Sequence, residues 1–295
     1  MKKFFKWMGI VLGSIILILL AAFAFIYFSV NSRFNKDYQV TVAPLAIPSD
    51  SATIALGAHV AAIKGCNDCH GKDFGGNVVI DDPGLGLFAA PNITMGKGGL
   101  NSRHGQYTDE DFIRAIRHGV GKNGKTLKLM PSYEYNPLSK KDLTALIAYV
   151  KSRPAVDKVM PAISLKPVAF VLTQLDKIPL VVAEKIDHTK PIVEEVHPEV
   201  TATYGKYLAV SCTGCHRENF RGGDAIIPGS PKVPNITGSG RLANMTESQF
   251  IQTLRTGITP EGKKLDPKYM PWPTAKEFTE TEIKSLFLFL KAQQS

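Results

Sequence analysis

One pattern, used twice, constrains this chain of 295 residues more than any other feature. Cys66-Asn67-Asp68-Cys69-His70 recurs as Cys212-Thr213-Gly214-Cys215-His216, and the two segments hold all 4 cysteines. Pro91-Asn92-Ile93-Thr94 recurs as Pro234-Asn235-Ile236-Thr237, Arg117-His118-Gly119 as Arg255-Thr256-Gly257, and Met130-Pro131 as Met270-Pro271. Thr108 to Ile113 matches Thr246 to Ile251, and Ser139 to Val150 matches Thr279 to Leu290. The offset drifts from 146 at the cysteines to 140 at the last matched stretch, so the copies differ by loop insertions and deletions. Two copies are too few to stack as a solenoid. The pattern predicts two similar globular domains, residues 53–153 and 200–295, joined by a Pro-rich linker, residues 154–199.

Each copy reads as mainly α. Thr53–Lys64 and Thr201–Val210 are short amphipathic stretches leading into the cysteine pairs. Thr108 and Thr246 have the character of N-caps, with Asp111 and Gln249 three residues on and Gly119 or Gly257 closing the helix. Ser139 and Thr279 open the last helices, with Asp142 and Glu282 placed to complete capping boxes. Leu143, Leu146, Ile147 and Val150, like Ile283, Leu286, Phe287 and Leu290, then fall on one helical face. Residues 71–107 and 217–245 are rich in Gly and Pro and show neither helical nor strand period. Domains of about 100 residues with long loops and a small apolar core leave room for a bound group at their centre.

Trp7 to Phe28 is free of charge and follows Lys2, Lys3 and Lys6. At about 1.5 Å per residue it just spans a hydrocarbon core of roughly 30 Å, and the lysines place the rest of the chain on the outer, periplasmic side of the cell membrane. The competing reading is a cleaved signal peptide at Ala22-Phe23-Ala24; both readings export the remainder. Residues 1–30 are therefore taken as a single-pass transmembrane anchor and residues 31–52 as a flexible tether. Net charge is +9, from 35 Lys+Arg against 26 Asp+Glu, but no basic block marks a nucleic-acid footprint, and no nucleic-acid partner is expected.

Cys-x-x-Cys-His is the attachment pattern of c-type haem. Two thiols at this spacing add across the porphyrin vinyl groups, and the adjoining histidine meets one face of the iron. A zinc site wants four ligands per metal, and neither copy has a second Cys or His pair nearby. A redox dithiol needs no following histidine and has no reason to occur twice in a duplicated domain. Two covalent haems are expected, on Cys66 and Cys69 and on Cys212 and Cys215, with His70 and His216 as axial ligands. For the opposite faces the repeat selects Met130 and Met270, which are equivalent, whereas Met95 aligns with Gly238 and Met245 with Tyr107. Core packing is the competing role for any methionine. Arg117 and Arg255 recur as candidates for haem-propionate contacts, although arginine in a last helical turn also suits the helix dipole. Trp272, after Met270, is placed either to reach a propionate or to pack on the haem. His59, His104, His118, His188 and His197 have no histidine counterpart and read as solvated surface residues.

In this order of motifs each half resembles a class I cytochrome c domain, and the whole resembles diheme relatives of the cytochrome subunits of bacterial membrane-bound dehydrogenases. The resemblance implies that the carbonyls of Pro91 and Pro234 hold the ligating imidazoles. It also implies an electron carrier in the respiratory chain, not an enzyme, with a dehydrogenase subunit or terminal oxidase as redox partner. The better-known dehydrogenase subunits carry three haems, whereas this chain has two motifs and an amino-terminal apolar helix. A diheme oxidoreductase, such as a peroxidase or thiosulfate dehydrogenase, is the alternative; it requires an iron with a labile, His or Cys sixth ligand.

Overall fold

The computed structural model describes residues 1–225 and 230–294; residues 226–229, in the second Gly- and Pro-rich stretch, and Ser295 lie outside it. Helix α1, Lys2–Asn35, continues well past the expected span, to Lys36. In the first domain follow α2, Ser51–Ile63, α3, Cys66–His70, α4, Leu100–His104, α5, Asp109–His118, α6, Ser132–Tyr135, and α7, Lys140–Ser152. The connector carries α8, Pro167–Gln174. The second domain repeats the order with α9, Ala202–Ala209, α10, Thr213–His216, α11, Glu247–Thr256, α12, Trp272–Ala275, and α13, Glu280–Ala292.

Each domain is organised around the crossing of its first and last long helices, α2 on α7 and α9 on α13. The crossing is close because a glycine sits at each contact. A Cβ on Gly57 would lie 1.9 Å from the Ala145 carbonyl oxygen, and one on Gly205 would lie 1.9 Å from that of Ser285. Behind each glycine stands an aromatic at a matched position, Tyr149 or Phe289. Phe74 and Phe220 meet those rings edge-on, with centroids 5.7 and 5.5 Å apart. The apolar stripes read from sequence line these interfaces: Leu143, Leu146, Ile147 and Val150 are buried in one core, Ile283, Leu286 and Leu290 in the other.

The α5 and α11 capping boxes form as expected, Thr108 with Asp111 and Thr246 with Gln249, and the Thr279–Glu282 box opens α13. The box expected at Ser139 is only half made. Ser139 accepts from the Asp142 N–H, but a tyrosine of the other domain takes the returning half: the Tyr207 hydroxyl accepts from the Ser139 N–H at 3.1 Å and donates to Asp142 Oδ2 at 2.5 Å.

Two further expectations are corrected. Residues 71–107 contain a hairpin, β1, Asn77–Asp82, paired antiparallel with β2, Gly86–Ala90, and extended by β3, Ser164–Leu165, from the connector. Alternation is lost because a register shift falls between Val78 and Ile80; the turn is set by Asp82, whose carboxylate accepts from the Gly84 and Leu85 N–H groups. The stretch expected as a flexible tether is instead laid on the first domain. Residues 31–35 belong to α1, Tyr38 N–H donates to the Gly124 carbonyl, Lys125 pairs with Asp37 at 2.8 Å, and Val42, Leu45 and Ile47 pack on the first core.

The connector also lies on the first domain. Val182 rests on Gly119, Ala183 N–H donates to Thr126, and the Asn92 side-chain amide holds the Val156 carbonyl at 2.7 Å. His118 is buried, only 5% exposed, against expectation, with its Nδ1 3.1 Å from Nδ1 of His188 in the connector.

Candidate functional site: two matched attachment loops

Both Cys-x-x-Cys-His segments are single helical turns, each followed by a residue at positive φ, Gly71 or Arg217, that turns the chain away. The next loop is rebuilt almost atom for atom. His70 and His216 carbonyls accept from Gly76 and Gly222 N–H groups at 2.8 and 2.9 Å. Phe74 and Phe220 carbonyls accept from Ile93 and Ile236 N–H groups at 3.0 and 2.9 Å. Asn92 and Asn235 fold over their own backbone, accepting from the N–H and hydroxyl of Thr94 and Thr237. This turn aims the preceding carbonyl, so that Pro91 O lies 2.9 Å from His70 Nδ1 and Pro234 O lies 2.9 Å from His216 Nδ1.

A carbonyl only accepts, so Nδ1 carries the proton in both rings and Nε2 keeps its lone pair. Burial lowers both imidazole pKa values, against the carbonyls, which favours the neutral, metal-binding form. Burial pushes the Cys66 and Cys212 thiols up to about 12, with those of Cys69 and Cys215 also raised. Redox-active Cys-x-x-Cys pairs show the opposite, depressed behaviour. Among the described residues, no group of three or more His, Cys, Asp or Glu side chains is gathered as a metal site would require.

Met130 and Met270 sit in the same local geometry. The following proline is the centre of an inverse γ-turn, Pro131 at φ −81 and ψ 57, Pro271 at φ −74 and ψ 58. The methionine carbonyls accept from Ser132 and Trp272 N–H groups at 2.8 and 2.7 Å. Met130, like Cys66 and Ile93, packs on the first core, and Met270, like Cys212 and Ile236, on the second. Met95 and Met245 also reach these cores. Arg117 and Arg255 hold the methionine loops from behind. Arg117, only 5% exposed, donates from Nη1 to the Asn136 carbonyl and from Nη2 to Lys190 in the connector, and Arg255 donates to the Lys276 carbonyl. Anchoring this loop was not legible in sequence, because the acceptors are backbone atoms.

The donor set fits covalent haem: two thiols in one turn, an imidazole lone pair beside them, and a thioether on a separate loop packed at the same core. Trp272 adds a structural sign. Its ring lies against Gly257, and its buried Nε1–H has no partner within the protein. A buried unpaired donor costs about 1–3 kcal/mol, which an acceptor bound beside Met270 would offset.

The attachment loops also face each other across a pseudo-twofold axis. Asp68, between the first two cysteines, accepts from the Thr274 hydroxyl on the other domain's methionine loop at 2.6 Å. At the equivalent contact Gly214 faces Glu134, where a Cβ would lie 2.5 Å from Oε1. His59 on α2 reaches Glu282 at 2.9 Å, while Tyr207, its counterpart on α9, reaches Asp142, the counterpart of Glu282. Lys64 Nζ donates to Ser211 at 2.9 Å between the two cysteine turns. These contacts enclose a small cavity lined by Leu56, His59, Lys64, Asp142, Tyr207 and Glu282.

His59 gives this interface a pH dependence. The hydrogen bond that His59 donates to Glu282 raises the His59 pKa above its ordinary value. Burial pushes the Glu282 carboxyl up, but the bonds from His59 and the Thr279 N–H outweigh it and hold it below the usual range. The histidine contribution is therefore complete below about pH 6.5, the unfolded value, and is lost as pH rises through the folded value. Urea unfolding of the intact chain is expected to show a pH-dependent excess stability of about 1 kcal/mol at pH 6 over pH 8.5 that His59→Gln abolishes.

Comparison with known proteins agrees with this geometry. The family profile described as cytochrome C oxidase, cbb3-type, subunit III matches residues 52–150, and that described as cytochrome c matches residues 202–294. The chain is 28% identical over 76% of its length to the fructose dehydrogenase cytochrome subunit of Gluconobacter japonicus, covering 49% of that protein. It is 37% identical over 37% of its length to the gluconate 2-dehydrogenase cytochrome c subunit of Pantoea cypripedii, covering 26% of it. It is 36% identical over 34% of its length to the alcohol dehydrogenase (quinone) cytochrome c subunit of Komagataeibacter europaeus, covering 22% of it. The chain thus spans about half the length of the first relative and about a quarter of the others. Two matched loops with the same thiols, the same held imidazole and the same methionine turn, each inside a region matching a cytochrome profile, make the chain a c-type cytochrome of two cytochrome c domains, each with a covalently bound haem.

Proposed function

We propose that the chain is a membrane-anchored electron carrier that relays single electrons from a dehydrogenase to a respiratory acceptor. The observation that carries the reading is the duplicated donor set, an imidazole and a thioether offered from separate loops of each domain. When bound, haem supplies a one-electron iron couple. Cys66, Cys69, Cys212 and Cys215 would tether it; His70 and His216, their tautomers fixed by Pro91 and Pro234, would offer Nε2 to the iron, and Met130 and Met270 would supply the thioether ligands. A thioether raises the potential by favouring ferrous iron, and filling both positions keeps substrates off the metal. The reciprocal packing of attachment loops supports exchange between the two centres within one chain.

The dehydrogenase partner follows from the relatives, which are cytochrome subunits of such enzymes. The membrane reading rests on α1, whose first two turns and apolar middle are unburied and long enough to cross a bilayer. Its retention, and an outer location for the haem domains, are supported by the lysines before it and by the packing of its far end on the first domain. Carbon monoxide tests the carrier reading: the reduced protein is expected not to bind it. Stoichiometric binding at either haem would reveal an open position and reject the reading, in favour of a diheme oxidoreductase.

A further inference from the structure

We propose that α8 is an interfacial helix that seats the first domain on the bilayer crossed by α1, its outward apolar stripe lying at the boundary between headgroups and acyl chains. The inference rests on reading α1 as membrane-spanning. With 34 residues, α1 is about 50 Å long, some 20 Å more than a hydrocarbon core requires. With Trp7 to Phe28 filling the core, the surplus on the far side is the last two turns, residues 29–35, which pack on protein. Val30 and Phe34 are buried, and the rings of Tyr27 and Phe170 lie 5.1 Å apart. Ser29 donates to Gln174 at 3.0 Å, and Arg33 pairs with Glu184 at 2.7 Å. Helix α8 is therefore level with the point where α1 leaves the hydrocarbon.

Two opposite sides of α8 are apolar. Ala169 and Phe170 turn inward and are buried, whereas Val168 and Leu175, seven residues apart, are 48% and 59% exposed, with Leu172 between them half-buried. That spacing is one helical stripe, directed away from the protein. Eight residues make about 12 Å of helix, too short to cross a membrane and suited to lying on one. Lys166 and Lys177 bracket the helix, both exposed, where they meet lipid phosphates. Phe25 and Phe28, 69% and 70% exposed, lie at the same level on α1, either side of Tyr27, whose ring meets Phe170 of α8. Continuity with the lipid-facing surface of α1 selects lipid as the occupant over a second protein.

Single cysteines test this in the full-length haem protein, where the four native thiols are held by haem. Leu175→Cys and Val168→Cys, in nanodiscs of phosphatidylcholine with a minor share of phosphatidylglycerol, are expected to react with a charged, water-soluble maleimide about tenfold slower than Val193→Cys in the exposed connector. Both variants, carrying a benzophenone, are expected to form lipid adducts on illumination. If both react as fast as Val193→Cys while Ile16→Cys in α1 is protected, the interfacial helix is rejected and the anchor stands. If Ile16→Cys also reacts freely, the anchor itself fails. Adducts between chains in place of lipid adducts would make the stripe a protein interface and overturn the proposal.

Discussion

Replacing Cys66 and Cys69 by serine is expected to leave one haem on the chain where two were, with the mirror result for Cys212 and Cys215. The bond is covalent, so haem retained after denaturation and acid-solvent extraction gives the count directly. The structural effect should be large as well. Cys66 and Met130 pack at the rim of the first core, so a haem tethered there, although attached in both states, buries its apolar faces and gains its methionine contact only when the domain is folded. Without it, that domain relies on the α2–α7 crossing and a small core. The first domain is expected to become protease-sensitive while the second keeps its spectrum. Haem that extracts freely from the unaltered protein would reject the assignment of all four cysteines.

Met130→His is expected to keep its iron six-coordinate while lowering that potential by on the order of 0.2 V, within the roughly 0.8 V that axial ligation spans. Imidazole stabilises ferric iron better than a thioether does, which sets the sign. The weak absorption near the red end of the visible spectrum, from thioether bound to ferric iron, should fall by half. Met270→His should do the same at the other centre, each leaving its neighbour much less affected. A redox titration of both variants reads the two potentials separately. Should Met130→His move neither potential nor the band, the ligand is another residue, and Met95, packed on the same core, is the next to replace.

Much of this architecture could be read from residues because the interactions concerned are local. Thr108 with Asp111, and Thr279 with Glu282, close capping boxes within four residues, and the Pro-Asn-Ile-Thr turns are closed by their own asparagines. What escaped depends on distant partners. Ser139 has the right sequence for a capping box, but Tyr207, from the other domain, takes half of it. His59 and His118 read as solvated because nothing beside them in the chain announces Glu282 or His188. The repeat itself concealed the interface: matched positions carry different side chains there, His59 against Tyr207 and Asp68 against Gly214, so the symmetry is of place and not of residue. The connector and residues 36–50 were unreadable for another reason. Their backbones pair with loops of the first domain, and irregular chain leaves no periodic trace.

The pseudo-twofold contact between the domains has a consequence for assembly. An isologous interface is closed: once the two halves have met, the patch is satisfied and offers no matching surface to a third. Two separate domains would hold such a contact only at high concentration. A covalent link makes the encounter intramolecular, so that it no longer depends on the dilution of the protein. Fusion thus turns a dimerisation equilibrium into a fixed ratio of one to one.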